Sequence, residues 1–431
     1  MVDVQDKQFE TKCVRGGYDP GVGEPVVPPI TPSVAYRYET TEQVHELFDL
    51  EREGYFYSRI ENPTTSVVEK RVAMLDGGVG ALMTSSGQAA NLFAILNIAS
   101  NGDHIVAARN LYGGTVNLFT HRLKEYGIST TFIDNSSDYD AVVAAIKPNT
   151  KAVFTETLSN PTLSMTDLEV WAKAAHDNDV LFVVDNTFPT PFFCRPIDFG
   201  ADVVTYSSTK YLDGHALEVS GMIVDSGKFG FENAYRNSGR YSSLVEPDQT
   251  YKGVSYTKKF GEAAYIVKAR VQLMRDLGAT PSPFSAFLLG NGLQTLGLRM
   301  ERHYSNAQAV AKFLENNPQV EHVNFPALDT DPNNALAKKY LPKGCAGVLS
   351  FVVKGGRESA GRVINAFKLV NIEVNVAEIR SCALHPATST HRQMSDTELK
   401  DAGIEPGLIR LSVGLENIDD ILEDVKRALE E

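Results

Sequence analysis

The stretch VVTYSSTKYLDGH, residues 203–215, passes from β-branched and aromatic residues into two serines, a threonine and Lys210. A near-continuous apolar run marks a strand buried on both faces, and the C-terminal end of such a strand is where an α/β sheet keeps its ligands. A primary amine there can condense with a carbonyl or carry a proton; a lysine just past a strand can equally be a solvated loop residue. Other predicted strand ends also carry polar groups. FVVDNTF ends in Asp185, which reads either as a helix cap or as a carboxylate held for a protonated ring nitrogen. ETLSNPT carries Glu156 and Asn160. TSSGQAAN sets Gly87 and Gln88 where a strand meets a helix; free N–H groups and the helix dipole favour an anion there, unless Ser86 only caps the helix. NLYGGT puts Tyr112 on a glycine-flanked turn, open either to stacking on a planar ligand or to packing on the surface.

One cofactor needs all of these groups at once. Pyridoxal phosphate takes an amine for a Schiff base, an acid for its pyridinium, a cradle for its phosphate and an aromatic ring against its face. Lys210, Asp185 about 25 residues upstream, the Gly87–Gln88 helix start, the hydroxyls of Ser207 and Thr209, and Tyr112 supply that set. Bound this way, the cofactor acts as an electron sink for carbanions at the α and γ carbons of an amino acid.

The elements that must hold these residues can be read from the alternation of patterns. From about residue 66 to 235, predicted helices such as SVVEKRVAMLDG, GQAANLFAILNIAS and LEVWAKAAHDND alternate with predicted strands such as ALMTSS, HIVAAR, STTFID, KAVFTET, VLFVVDN and DVVTYSS. That order predicts a mostly parallel sheet covered on both faces. The first 60 or so residues, rich in Pro and Gly and without a sustained period, predict an extended arm that lies on something else. Beyond 260 a long helical region leads into short strands, GVLSFVVKGG, IRSCALHP and LIRLSVGLE, which predicts a smaller α+β domain. The expected division is therefore an arm at 1–65 contacting a neighbouring subunit, a cofactor-binding α/β domain at 66–263 and a C-terminal α+β domain at 264–431.

Bulk properties narrow the class. The chain has 431 residues, 43% hydrophobic and 22% charged, as expected of a multidomain globular protein. A formal charge of −13 argues against nucleic acid or an anionic membrane as partner, since both call for clustered Lys and Arg. The N-terminus lacks an apolar leader, and no stretch approaches the ~18 apolar residues of a membrane span. Cys13, Cys194, Cys345 and Cys382 are widely spaced and form no Cys or His pair at metal spacing, so a reducing, cytoplasmic setting without a metal is expected.

The motifs YSRIENPT, TSSGQAA, LYGGT, SNPT, VDNTFPTPF, YSSTKYLDGH, HPATSTH and RLSVGLE together resemble the γ-family of pyridoxal-phosphate enzymes of cysteine and methionine metabolism, from about residue 10 to the C-terminus. Within that family, EPDQTYKGVSY, the long helical stretch after 272 and YLPKGCAG resemble the O-acetylhomoserine sulfhydrylase (aminocarboxypropyltransferase) branch; methionine γ-lyases typically carry a cysteine where this chain has Gly114. The resemblance implies fold type I, the aspartate-aminotransferase-like architecture. It implies Lys210 as Schiff-base lysine and proton shuttle, Asp185 on the pyridinium, and Tyr112 on the ring and at the γ leaving group. It implies Gly87, Gln88, Ser207 and Thr209 on the phosphate, Asn160 on the ring oxygen, and Arg410 with Asn375 on the substrate carboxylate. Tyr57 and Arg59 of the arm match the pair that reaches a neighbouring subunit's phosphate, which implies dimers with composite sites assembled as a tetramer.

The implied reaction is γ-replacement of acetate in O-acetyl-L-homoserine by sulfide, giving L-homocysteine. γ-Elimination to a 2-oxo acid is the second reading, and a cofactor-free binding protein the third. The chain departs from the branch in DGHALEVSG for GGHGTSIGG (introducing Asp213, Leu217 and Glu218), in VAEIRS for IGDAKS, at Val116 for tyrosine and at Lys252 for histidine.

Overall fold

The structure, a computed structural model, describes residues 4–389, 392 and 404–431. Thr390 and His391, which end the HPATSTH motif, lie outside the described residues.

Seven strands form the larger sheet: β1 (Gly80–Thr84), β2 (His104–Ala108), β3 (Ser129–Ile133), β4 (Thr150–Glu156), β5 (Leu181–Asp185), β6 (Val203–Ser207) and β7 (Gly221–Asp225). Their order is β1-β7-β6-β5-β4-β2-β3. Five strands are mutually parallel, from β3 through β6, whereas β7 runs antiparallel to both β6 and β1. The mostly parallel sheet is as the alternation predicts. The antiparallel β7 is not, because no helix separates it from β6: the chain turns through residues 208–220 and comes straight back. Every residue of β2 and β7 is buried, and β5 and β6 are buried up to their last residues, as a sheet covered on both faces requires.

The helices begin and end where their caps dictate. In α3 (Pro63–Asp76), the Asn62 side chain accepts the Thr64 N–H, Pro63 fills the first turn, and Gly77 at φ 81° closes the end in the left-handed region. In α4 (Gly87–Leu96), Ser86 Oγ accepts the Ala89 N–H at 3.1 Å. The helix after Tyr112 opens as α5 (Gly113–Asn117) and continues through a π-type stretch, 118–122, to Glu125.

Five further strands, β8 (Val320–Asn324), β9 (Val348–Val353), β10 (Asn371–Ile372), β11 (Cys382–Leu384) and β12 (Leu408–Ser412), form a second sheet in the order β10-β11-β12-β9-β8. Helices Pro283–Gln294 and Leu296–Glu315, broken at Thr295, link the two sheets. The arm departs from expectation. It contains two helices, α1 (Phe9–Arg15) and α2 (Thr41–Phe48), and α1 is docked on its own chain. Cys13 is buried, the rings of Phe9 and Phe192 meet edge-on at 5.4 Å, and Arg71 Nε donates to Gly16 O at 2.8 Å. All four cysteines are buried thiols. Among the described residues, no helix is long and apolar enough to cross a membrane.

Candidate active site

The C-terminal ends of β4, β5 and β6 deliver Glu156, Asp185 and Ser207 to one rim of the larger sheet, and a cavity of about 440 Å³ opens there. Ten of the twelve residues to which the family resemblance gives a role line it: Gly87, Gln88, Tyr112, Asn160, Asp185, Ser207, Thr209, Lys210, Asn375 and Arg410. Tyr57 and Arg59 do not. They sit on the arm with the Arg59 guanidinium 5.1 Å from the centre of the Tyr57 ring, and Tyr57 is exposed.

Lys210 Nζ donates to Asn375 Oδ1 at 2.6 Å. Burial, with the Arg410 charge behind it, pushes the ammonium down from 10.5 to about 8. Arg410, on β12, is buried; Nη2 donates to the Asn375 and Val374 carbonyls at 2.9 and 3.2 Å, and Nη1 to Asn160 Oδ1 at 3.4 Å. Its Nε has no partner among the described residues. A buried donor left unpaired costs about 1–3 kcal/mol, so this guanidinium is set to receive a ligand acceptor. Asp185 is the mirror case. Burial raises its pKa, while Asn91 Nδ2 at 3.2 Å and the Thr187 N–H and Oγ1 at 3.0 and 2.5 Å hold its two oxygens. A carboxylate desolvated in this way is stabilised most by a cation.

The first N–H groups of α4, those of Gly87 and Gln88, precede the helix's own bonds, the first of which Ala90 donates to Ser86 O. Gly87 lies so close to β6 that a Cβ there would fall 2.7 Å from Ser207 Cβ, so backbone alone fits between the two strand ends. Ser86 caps the helix and the junction still offers an anion cradle; the two sequence readings are compatible. Ser207 N–H donates to Thr187 Oγ1 at 2.9 Å, and the Thr209 hydroxyl exchanges bonds with the Ser220 backbone, donating at 3.2 Å and accepting at 3.0 Å. The Tyr112 ring stands half exposed at the mouth. The set as a whole offers an amine, an anion cradle, a carboxylate and an aromatic face, which fits pyridoxal phosphate.

Residues 10–430 match the family described as Cys/Met metabolism PLP-dependent enzymes. The chain belongs to that family. It is 43% identical to an O-acetyl-L-homoserine sulfhydrylase of Leptospira meyeri, over 97% of this chain and 96% of that one. It is also 43% identical to a homocysteine synthase of Schizosaccharomyces pombe, over 99% of each. A crystal structure of a putative O-acetylhomoserine (thiol)-lyase from Campylobacter jejuni, carrying N'-pyridoxyl-lysine-5'-monophosphate, superposes with a TM-score of 0.94 at 36% identity, over 98% of this chain and 100% of that one. In this Cys/Met metabolism enzyme the fold is thus the mostly parallel sheet with a smaller second-sheet domain, and the cofactor is pyridoxal phosphate.

Two groups that matter to the site escape a sequence reading. Asn91 and Thr187 hold Asp185; Thr187 has a faint signal, two residues past the carboxylate in DNTF, while Asn91 is one unremarkable helix residue. Two of the four departures from the branch pattern, DGHALEVSG and VAEIRS, also prove to be one feature. Ile379 N–H donates to Gly214 O at 2.9 Å, and Arg380 Nη2 to His215 O at 3.2 Å, so VAEIRS packs on DGHALEVSG. Within the latter, Glu218 is buried with Oε1 accepting the Ser220 hydroxyl at 2.8 Å, and burial pushes its carboxyl up to about 7.

Proposed function

We propose that this enzyme catalyses γ-replacement on O-acetyl-L-homoserine: the Cγ–O bond to acetate breaks, sulfide forms a C–S bond at the same carbon, and L-homocysteine and acetate leave. One observation carries the reading at the site. An amine held near pKa 8 at Lys210 and a buried guanidinium with a free donor at Arg410 share one cavity, as an amino acid substrate requires. The names of its relatives supply the acyl group and the sulfur donor.

Bound pyridoxal phosphate supplies the electron sink that makes protons at the substrate α and β carbons acidic and lets the γ group depart. The chain's own residues do the rest. Lys210 carries the cofactor and then moves protons at Nζ, a task for which a lowered pKa suits it. Asp185 pairs with the ring nitrogen, while Gly87, Gln88, Ser207 and Thr209 hold the phosphate, the Thr209 hydroxyl being oriented by Ser220. Asn160 bonds the ring oxygen. Arg410, with Asn375, grips the α-carboxylate, a task that suits a planar fork of donors. Tyr112 covers the ring and protonates the departing oxygen at its hydroxyl. We place the enzyme in the cytoplasm as a homotetramer of dimers, with Tyr57 and Arg59 of one subunit on the phosphate of the next. Their position outside their own chain's cavity supports this assembly.

Product analysis tests the reading. With O-acetyl-L-homoserine and sulfide, the purified holoenzyme is expected to yield homocysteine and acetate, with 2-oxobutanoate a minor product. Equal 2-oxobutanoate with and without sulfide would assign γ-elimination instead.

A further inference from the structure

Glu156 lines the cavity, is buried, and has no part in the roles above. It ends β4, and the strand register sets it beside Asp185 at the end of β5. Its Oε1 accepts the Tyr112 N–H at 2.7 Å, and the Asn160 N–H also bonds to its carboxyl. Tyr112 is the residue before α5, where a helix leaves its first N–H groups without internal partners. Asn160 in turn accepts from Arg410 Nη1. A single side chain therefore ties the turn that presents the aromatic ring to the turn that presents Asn160 and, through it, the arginine.

We infer that Glu156 is a positioning residue, fixing the Tyr112 and Asn160 turns about the cofactor and substrate as a hydrogen-bond acceptor and not as an anion. The inference rests on the function proposed above. The neighbouring Asp185 explains the division of labour: two adjacent buried carboxylates cannot both stay ionised without a large cost, and the one facing the cation keeps its charge. Burial and the Asp185 charge both push the Glu156 carboxyl well above its usual range. A neutral carboxyl still accepts the Tyr112 N–H, and glutamine reproduces its shape and that acceptor, whereas alanine leaves a backbone donor without one.

Glu156→Gln and Glu156→Ala separate these possibilities. In the apoprotein, amide hydrogen exchange over residues 110–117 is expected to match the unmodified protein for Glu156→Gln and to quicken by about tenfold or more for Glu156→Ala. In the holoenzyme, Glu156→Ala is expected to raise both the cofactor Kd and the KM for O-acetylhomoserine by roughly 10- to 100-fold, with Glu156→Gln within about threefold of native. Native exchange at 110–117 in Glu156→Ala overturns the inference. So does a Glu156→Gln enzyme with native exchange but a crippled cofactor Kd, which assigns the work to the charge. Should Glu156→Ala fail to fold, Glu156→Asp, one methylene too short to span the 2.7 Å contact, takes its place with the same expected quickening. Because exchange is read without cofactor or substrate, it holds whatever acyl amino acid the product analysis assigns.

Discussion

An amine must shed its proton before it can attack a carbonyl, and burial has brought that event at Lys210 down to about pH 8. Uptake of pyridoxal phosphate by the apoprotein is therefore expected to accelerate as pH rises through about 8 and to level off above it; stopped-flow absorbance between pH 6 and 10 reads this directly. An exposed lysine would give a rate still climbing toward 10.5. Lys210→Ala is expected to abolish turnover, with the borohydride-reducible adduct lost from the peptide holding residue 210. With Asp185 as the proposed partner of the cofactor nitrogen, Asp185→Asn is expected to cost about 3–5 kcal/mol, or roughly two to four decades in rate and cofactor affinity. A near-native Asp185→Asn enzyme would end that role. Residues at strand ends were legible because position and chemistry coincide there in one dimension. Asn91 was not: it lies 94 positions from the aspartate it holds, and only the packing of α4 on the sheet brings them together.

At the scale of elements, the proposed phosphate cradle depends on α4 starting hard against β6. A methyl at residue 87 would lie 2.8 Å from Ser207 Cα, a backbone atom that cannot swing aside. Gly87→Ala is therefore expected to push the helix start off its strand, and overpacking of this kind costs about 1–3 kcal/mol. The measurable result is weaker cofactor binding in equilibrium dialysis, roughly 5- to 150-fold, with the apoprotein still folded by circular dichroism. Unchanged affinity would show that the phosphate binds elsewhere. The alternation that predicts this strand–helix junction is strong because both periods are sustained. Elsewhere the signal is too short to read. GMIVD, which becomes β7, is five residues after an irregular loop, and its antiparallel pairing comes from the direct return of the chain. The break at Thr295 has no Gly or Pro at the break itself to announce it. The first helix of the arm, FETKCVR, spans two turns and is held by packing on α3 and Phe192, which local sequence cannot reveal.

At the scale of the whole molecule, the arm raises a question that one chain cannot answer by itself: what Tyr57 and Arg59 are for, when the cavity of their own chain leaves them out. If they complete a neighbour's phosphate site, each active site draws on two chains, and two dead proteins can make a live one. Arg59→Ala and Lys210→Ala, each nearly inactive alone, are expected to complement when unfolded together and refolded. In a hybrid dimer, one site combines the intact Arg59 of one chain with the intact Lys210 of the other, and the second site carries both defects. Random pairing makes about half of the dimers hybrids, each with one sound site of two, so activity should return to about a quarter of native. A refolded mixture no more active than its parents would mean that the arm closes over its own subunit. The two outcomes are far apart on a simple rate assay, and the Lys210 adduct serves as an internal count of sites, since only the chains that retain the lysine can be labelled by borohydride.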